Sequence, residues 1–438
     1  MKLRGGLSIS SDGHLKIGGC DTKELAKEFG TPLYVFDEGA ICAVAKEVKA
    51  TLDKKYPNNV VAYASKAFSC LGIYQIMKEL GFAADVASGG ELYTALKAKF
   101  DPKKIYFHGN NKTASELAMA VQAGIHSVVI DSHHEIELLN TIAGELDKKQ
   151  GVLVRVNPGV EAHTHHYIQT AMPDSKFGFA IDGGTATEAI KLVTASPNLE
   201  FLGLHCHIGS QIFETAPFEL AVDTMTDYIV QLAKEENIII KELNVGGGWG
   251  IIYTDEDTPL PAYQYAEAIA DKLKNCVSSK KITAPRLVVE PGRSLVGEAG
   301  ITLYTIGSIK DIKGVKKYLA VDGGMFDNPR YALYQSKYDA ALVTRADEKP
   351  TETVSIAGKC CESGDIVIGE VKLPKAQSGE VLAVLSTGAY NYSMASNYNR
   401  NAIPPVVLIK DGKAEYLVKP QSYKNILSRD VVLKRGKK

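Results

Sequence analysis

Val60-Val61-Ala62-Tyr63-Ala64-Ser65-Lys66 is a short apolar run ending in a residue able to do chemistry, and seven later runs repeat its plan. Ala84 to Ser88 carries Asp85, Ile105 to Phe107 ends at His108, and Val128 to Ile130 ends at Asp131. Val152 to Val156 carries Arg155 and ends at Asn157, and Leu202 to Leu204 leads into His205 and His207. Leu243 to Val245 leads into Gly246, Gly247 and Gly248, and Leu287 to Val289 ends at Glu290. Continuous apolar runs of this length suit strands buried on both faces. Between them, Ser88-x-x-Glu91, Thr113-x-x-Glu116 and Ser132-x-x-Glu135 have the pattern that starts a helix. Leu71, Tyr74, Met77 and Leu80 mark one helix face, and Gly81 and Gly124 stand at helix ends. Strand, capped helix, strand, repeated without interruption, predicts parallel βαβ units closed into a (β/α)8 TIM-like barrel with its site on the C-terminal face. A doubly wound sheet is the competing architecture; eight units in one series favour closure.

The two ends of the chain read differently. Leu7 to Lys16 predicts a hairpin around Asp12-Gly13, and Val406 to Val418 another around Asp411-Gly412. Ile301 to Ile306, Tyr318 to Val321, Ile366 to Val371 and Val381 to Leu385 are further strand-like stretches. They place a barrel at 37–299 and a separate β-sandwich or β-barrel domain at 300–438 that also recruits 1–36.

Composition narrows the function. In 438 residues, 45% are hydrophobic and 23% charged, which is globular material for two cores. Fifty basic against fifty-one acidic side chains leave a net charge of -1, so no basic field exists for nucleic acid or an anionic membrane, and a small-molecule partner is favoured. Seven cysteines without a CxxC pair fit reduced thiols. Met1-Lys2-Leu3-Arg4-Gly5-Gly6 is not the start of a signal peptide, and no run reaches membrane-spanning length, so a cytoplasmic protein is expected.

Lys66 at a strand end would bring an amine to the barrel mouth, where loss of water lowers its pKa and makes it a nucleophile toward a carbonyl; a lone strand-end lysine more often snorkels to solvent. Glu290-Pro291-Gly292-Arg293 offers a carboxylate that could hold a pyridine nitrogen protonated, or simply a strand-end ion pair. Gly246-Gly247-Gly248-Trp249-Gly250 lets backbone N–H groups converge on a phosphate, and Ser210 could add a hydroxyl, although many glycine clusters are only tight turns. His207 could lie on a planar ring; a buried structural histidine is the alternative there and the main reading for His205. In Gly358-Lys359-Cys360-Cys361-Glu362-Ser363-Gly364-Asp365 a thiol beside a carboxylate suits a proton donor and an ammonium anchor. Adjacent cysteines cannot easily share one metal, and His163-Thr164-His165-His166 reads as a solvated loop, so no metal site is assigned.

In this order, the motifs resemble the fold-type III pyridoxal-phosphate decarboxylases, and within them the diaminopimelate decarboxylases. The resemblance runs from Thr31-Pro32-Leu33-Tyr34-Val35 through Tyr63-Ala64-Ser65-Lys66, Asp85-Val86-Ala87-Ser88-Gly89-Gly90-Glu91 and Ser175-Lys176-Phe177-Gly178. It continues through His205-Cys206-His207-Ile208-Gly209-Ser210-Gln211, Glu290-Pro291-Gly292-Arg293 and Cys361-Glu362-Ser363-Gly364-Asp365 to Gly388-Ala389-Tyr390 and Ser393-Met394-Ala395-Ser396-Asn397-Tyr398.

The resemblance implies a carboxy-lyase that uses pyridoxal 5'-phosphate to convert meso-2,6-diaminopimelate to L-lysine and carbon dioxide. Lys66 matches the lysine that holds the cofactor, Glu290 the partner of its ring nitrogen, and His207 the histidine stacked on the ring. Asp85 falls within the cofactor site, Ser210, Gly247, Gly248 and Tyr390 match phosphate-binding positions, and Arg293 lies near phosphate and substrate. Arg330 and Tyr334 match the grip on the distal carboxylate and Glu362 the group facing the distal ammonium. Tyr390 also belongs to the substrate set. Cys361 matches a cysteine that reaches into the neighbouring subunit's site, implying a homodimer. Two positions depart from the pattern: Trp249 stands where a leucine is usual, and Cys360 precedes Cys361. A decarboxylase of ornithine, lysine or arginine on the same fold is the near alternative, weighed against by Arg330 and Glu362; a cofactor-free regulatory relative is a more distant one. His108 and Asp131 receive no role.

Overall fold

The computed structural model describes residues 2–160 and 176–433, so His163 to His166, and Ser175 with them, lie outside the described residues. The eight apolar runs are eight parallel strands: Asn59–Ala64, Ala83–Val86, Ile105–Phe107, Ser127–Ile130, Gln150–Asn157, Leu199–His205, Glu242–Asn244 and Arg286–Val289. Each pairs with the next in chain order, and Leu287 opposite Asn59 closes the ring between eighth and first. Closure follows from the sequence pattern, because strands apolar on both faces need helices outside and side chains inside. Ala62, Ala83, Tyr106, Val129, Leu153 and Val288 fill the interior.

Local signals set the helix positions. Thr113 caps Ala114–Ala123 with a complete capping box, and Gly124 ends that helix in the left-handed region at φ 67°. Ser88 and Ser132 also cap, but Glu91 and Glu135 reach one residue further back, to the N–H groups of Ala87 and Asp131. Those two carboxylates thereby tie each helix start to the strand before it. In Leu71–Glu79 the buried face is Ile73, Tyr74, Ile76 and Met77, whereas Leu71 is exposed. The face is therefore rotated from the one predicted, because Leu71 opens the helix and lies outside the stripe against the barrel.

The chain divides into two units: Ile41–Ile252 with Glu256–Gly297, and Met1–Ala40 with Tyr253–Asp255 and Glu298–Lys438. Relative to boundaries at 37 and 300, Tyr253–Asp255 joins the β unit from within the barrel sequence. In that unit the long strand Gly300–Ile312 pairs antiparallel with Leu33–Asp37, Lys316–Val321 and Val381–Val384. Leu33–Asp37 also pairs parallel with Val406–Lys410, which is how the N-terminal segment is recruited. Both predicted hairpins form: Leu7 opposes Ile17, and Lys410 opposes Lys413 across Asp411 and Gly412 at φ 51° and 72°.

Candidate active site

Glu290, directly after the eighth barrel strand, is buried and held by three side chains. Its Oε1 accepts from Asn244 Nδ2 at 2.6 Å and lies 2.8 Å from His108 Nε2, and its Oε2 is 3.2 Å from His205 Nε2. Burial would raise its pKa, but the imidazoles of His108 and His205 hold it well below the usual carboxylate range. Burial lowers His205 to about 3, so that ring is neutral and donates Nε2–H to the carboxylate. His108 behaves in the opposite way: burial works against its charge, yet Asp85 and Glu290 together raise its pKa. Asp85 Oδ1 is 3.6 Å from His108 Nε2, and burial pushes Asp85 up to about 6. One donor atom each from His108, His205 and Glu290 lie within 4.8 Å of one another, close enough for a cation to bridge. Glu290 already accepts from Asn244 at one oxygen and faces His205 Nε2 at the other, so its oxygens are engaged within the cluster.

Lys66 sits in the single turn Ser65–Ala67 after the first barrel strand, and its side chain is exposed. The loss of water expected for its amine is therefore not supplied by this chain's own packing, because the turn carries the side chain past the buried strand. What the chain does supply is charge: Lys66 draws down the pKa of both Asp85 and Glu91 against the burial that raises them. Glu91 is fixed for this by Ser65 Oγ at 3.0 Å and the Ala87 N–H at 2.7 Å.

The glycine loop follows the seventh strand with Gly246 at φ 70° and Gly248 at φ 109°. A Cβ on Gly247 would stand 2.0 Å from the Glu290 carbonyl oxygen, and one on Gly248 2.1 Å from that of Gly209, so no other residue fits this turn. The Gly246 N–H is taken by Asn244 Oδ1 at 2.9 Å, and the Gly247 N–H points to His207 Nδ1 at 3.4 Å. Burial lowers the pKa of His207 well below its ordinary value, leaving a neutral, half-buried ring beside the loop. Arg293 Nη2 donates to Ser210 Oγ at 2.9 Å, joining two residues named from separate motifs. Trp249 is buried and turns its indole toward Tyr265 on the helix Ala262–Lys280.

In the β unit, the guanidinium of buried Arg330 stands over the rings of Tyr334, Tyr253 and Tyr390 at 5.3, 5.7 and 5.7 Å. Nη2 donates to Ser336 Oγ at 3.3 Å, and Nε has no hydrogen-bond partner among the described residues. Burial alone would lower its pKa, but the surrounding tyrosines raise it. A cation caged in aromatic faces with spare donors is a receptor for a planar anion. Tyr390 adopts φ 61°, a left-handed conformation unusual for an aromatic residue. The two cysteines separate clearly: Cys361 and Glu362 are exposed, whereas Cys360 is buried and its thiol is pushed up to about 12 by burial and Asp365.

The family described as pyridoxal-dependent decarboxylase, pyridoxal binding domain, matches residues 43–297. A diaminopimelate decarboxylase of Bacillus methanolicus is 50% identical over 96% of this chain and 97% of its own length. The chain belongs to the diaminopimelate decarboxylases. That of Bacillus subtilis strain 168 is 48% identical over the full length of both chains. A crystal structure of diaminopimelate decarboxylase from M. jannaschii in co-complex with L-lysine superposes with a TM-score of 0.91 at 36% identity, covering 98% of this chain and 99% of that one.

The barrel residues fit the pyridoxal phosphate that membership in the diaminopimelate decarboxylases implies. An amine, an anionic buried carboxylate, a neutral imidazole and a turn too tight for any Cβ are the donor set that such a group requires. Sequence reasoning missed His108, Glu91, Asn244, Gln211 and Tyr253. His108 and Glu91 carried local signals, as a strand end and a capping position. Gln211 closed a recognised motif but received no role, and nothing local marked Asn244 or Tyr253, whose partners lie far along the chain.

Proposed function

We propose that this chain decarboxylates meso-2,6-diaminopimelate to L-lysine and carbon dioxide, the last step of lysine biosynthesis, with the residues above in distinct roles. Pyridoxal phosphate, once bound, supplies an electron sink for the pair left at the substrate Cα when its carboxylate departs. Lys66 would hold the cofactor through its amine, and Glu290 would face its ring nitrogen and favour positive charge there. His207 would pack against the cofactor. Gly247, Gly248, Ser210 and Tyr390 bind the phosphate, with Arg293 steadying Ser210 by the bond they share. Arg330 and Tyr334 fix the distal carboxylate, and Glu362 receives the distal ammonium. Cys361 Sγ, or a water that it orients, returns a proton to Cα.

The observation that carries the substrate assignment is the cage around Arg330. Its guanidinium makes no ion pair with any carboxylate of the described residues, and its neighbours are tyrosine rings. A bidentate guanidinium–carboxylate contact orients a substrate carrying a second carboxylate, which ornithine and lysine lack. We further propose a homodimer in which Cys361 and Glu362, both exposed on this chain, serve the partner's site. A cytoplasmic setting is supported by seven cysteines that form no disulfide among the described residues. Among the described residues no helix is long and apolar enough to cross a membrane.

Carbon dioxide release from meso-diaminopimelate and from L-ornithine, each with and without added pyridoxal phosphate, tests the assignment. Cofactor-dependent release from diaminopimelate is the expected result, and faster turnover of ornithine overturns it.

A further inference from the structure

Asp85, His108 and Glu290 come from the second, third and eighth barrel strands or the residues just after them, and meet in one buried cluster. His108 Nε2 stands 2.8 Å from Glu290 Oε1 and 3.6 Å from Asp85 Oδ1, so one imidazole faces two carboxylates. We infer that His108 is a positioning residue for the reaction, an imidazolium that leaves the cluster with one net negative charge, the complement of one protonated ring nitrogen. The inference rests on the reading of Glu290 as the partner of that nitrogen.

The surroundings support this count. Besides Asp85 and Glu290, the groups that feel or shape the His108 charge are Glu91, Asp131, Arg155 and His205. Arg155 and Asp131 oppose one another in sign, as do Lys66 and Glu91. His205 is neutral and packs edge-on against His108, with ring centroids 4.8 Å apart. Only the three-membered cluster is left unbalanced, by one negative charge. Without the imidazolium, two carboxylates would share one dry pocket, and one of them would have to take up a proton or turn away. Glu290 would then lose its orientation although Asn244 and His205 still hold it. The role is electrostatic, so removing one negative charge should repair the loss of one positive charge.

The test compares the full chain with His108→Gln, Asp85→Asn, the double variant and Glu290→Gln. In His108→Gln, kcat for diaminopimelate is expected to fall about tenfold or more with KM within about threefold, because orientation of Glu290 is lost and not the substrate contacts. The decisive readout is melting of the cofactor-free chain. Two uncompensated carboxylates have pKa values raised in the folded state, so their burden is small at low pH and grows as pH rises. The melting deficit of His108→Gln should therefore increase by ~3 °C or more between about pH 5 and pH 7.5. The double variant should lose that pH dependence and regain part of kcat. A deficit that does not change with pH, no repair by Asp85→Asn, or a double variant that fails to fold overturns the inference. Full activity in Glu290→Gln instead refutes the reading of Glu290, and the melting curves then judge the cluster by itself.

Discussion

Gln211 grips both backbone groups of Ile251: its Nε2 donates to the Ile251 carbonyl at 2.7 Å, and its Oε1 accepts the Ile251 N–H at 3.2 Å. Ile212 and Gly250 extend the tie, since the Ile212 N–H donates to Gly248 O and the Gly250 N–H to Ile212 O. The glycine loop, with two residues in the left-handed region, is thus held in shape from outside. Gln211→Ala removes two hydrogen bonds of about 1 kcal/mol each and should weaken pyridoxal phosphate retention by about tenfold. Gln211→Glu should lose more, because it sets an oxygen against the Ile251 carbonyl. Absorbance titration of cofactor-free protein with pyridoxal phosphate measures both, and unchanged affinity in both variants refutes the role.

Trp249 lies flat against Tyr265, with ring centroids 5.9 Å apart and planes 7° from parallel. The indole of the residue that departs from the usual leucine therefore packs into the barrel's helical layer. Trp249→Leu should cost roughly 1–3 kcal/mol of stability through lost volume and stacking. Removing the buried Nε1, which has no partner among the described residues, offsets part of that cost. Cofactor affinity should stay within about threefold, since the loop's glycines and Gln211 are untouched. Urea unfolding and cofactor titration of the same variant separate the two effects.

These two cases show what the sequence made legible. The eight strand ends could be read because a strand buried on both faces must be an apolar run, and a barrel delivers functional groups from one end of every strand. The glycine loop could be read because left-handed backbone demands glycine. Pairings across the barrel could not: nothing local to Ile105-Tyr106-Phe107-His108 says that His108 will meet Glu290, nor that Tyr253 will cover Arg330. Periodicity reports which face is buried, not what waits there. It even misplaced Leu71, whose exposure depends on where the helix starts.

The motif pointed to Cys361, with Cys360 beside it as a departure from the pattern, and burial separates the two. Cys360 is buried with its thiol pushed up to about 12, whereas Cys361 is exposed and its backbone N–H is held by Asn399 Oδ1 at 2.7 Å. Proton return by Cys361 predicts that Cys361→Ala lowers kcat by about tenfold or more with little change in melting temperature. Cys360→Ala should instead lower stability by about 1 kcal/mol and leave kcat within about twofold. Steady-state kinetics beside thermal melts would sink this division if the kcat loss followed Cys360.

Asp327 provides a pH test of the β unit alone. Burial pushes its carboxyl up to about 8, although the Tyr304 hydroxyl and the Gly324 N–H, at 3.0 Å, both donate to it. Asp322 and Asp365 add to the rise. The folded value lies above the ordinary 3.8, so the folded state binds this proton more tightly than the unfolded chain. That contribution is complete below about pH 4 and is lost as pH climbs toward about 8. Asp327→Asn has no proton to lose, but it can accept only one of the two donated hydrogen bonds. It should be less stable than wild type by about 1 kcal/mol near pH 5, where the acid is protonated. The deficit should shrink or reverse by about pH 8.5, where the wild-type carboxylate bears its full burial cost. Urea unfolding at the two pH values checks this, and a deficit that does not change between them would show that the buried carboxyl is already ionised at about pH 5.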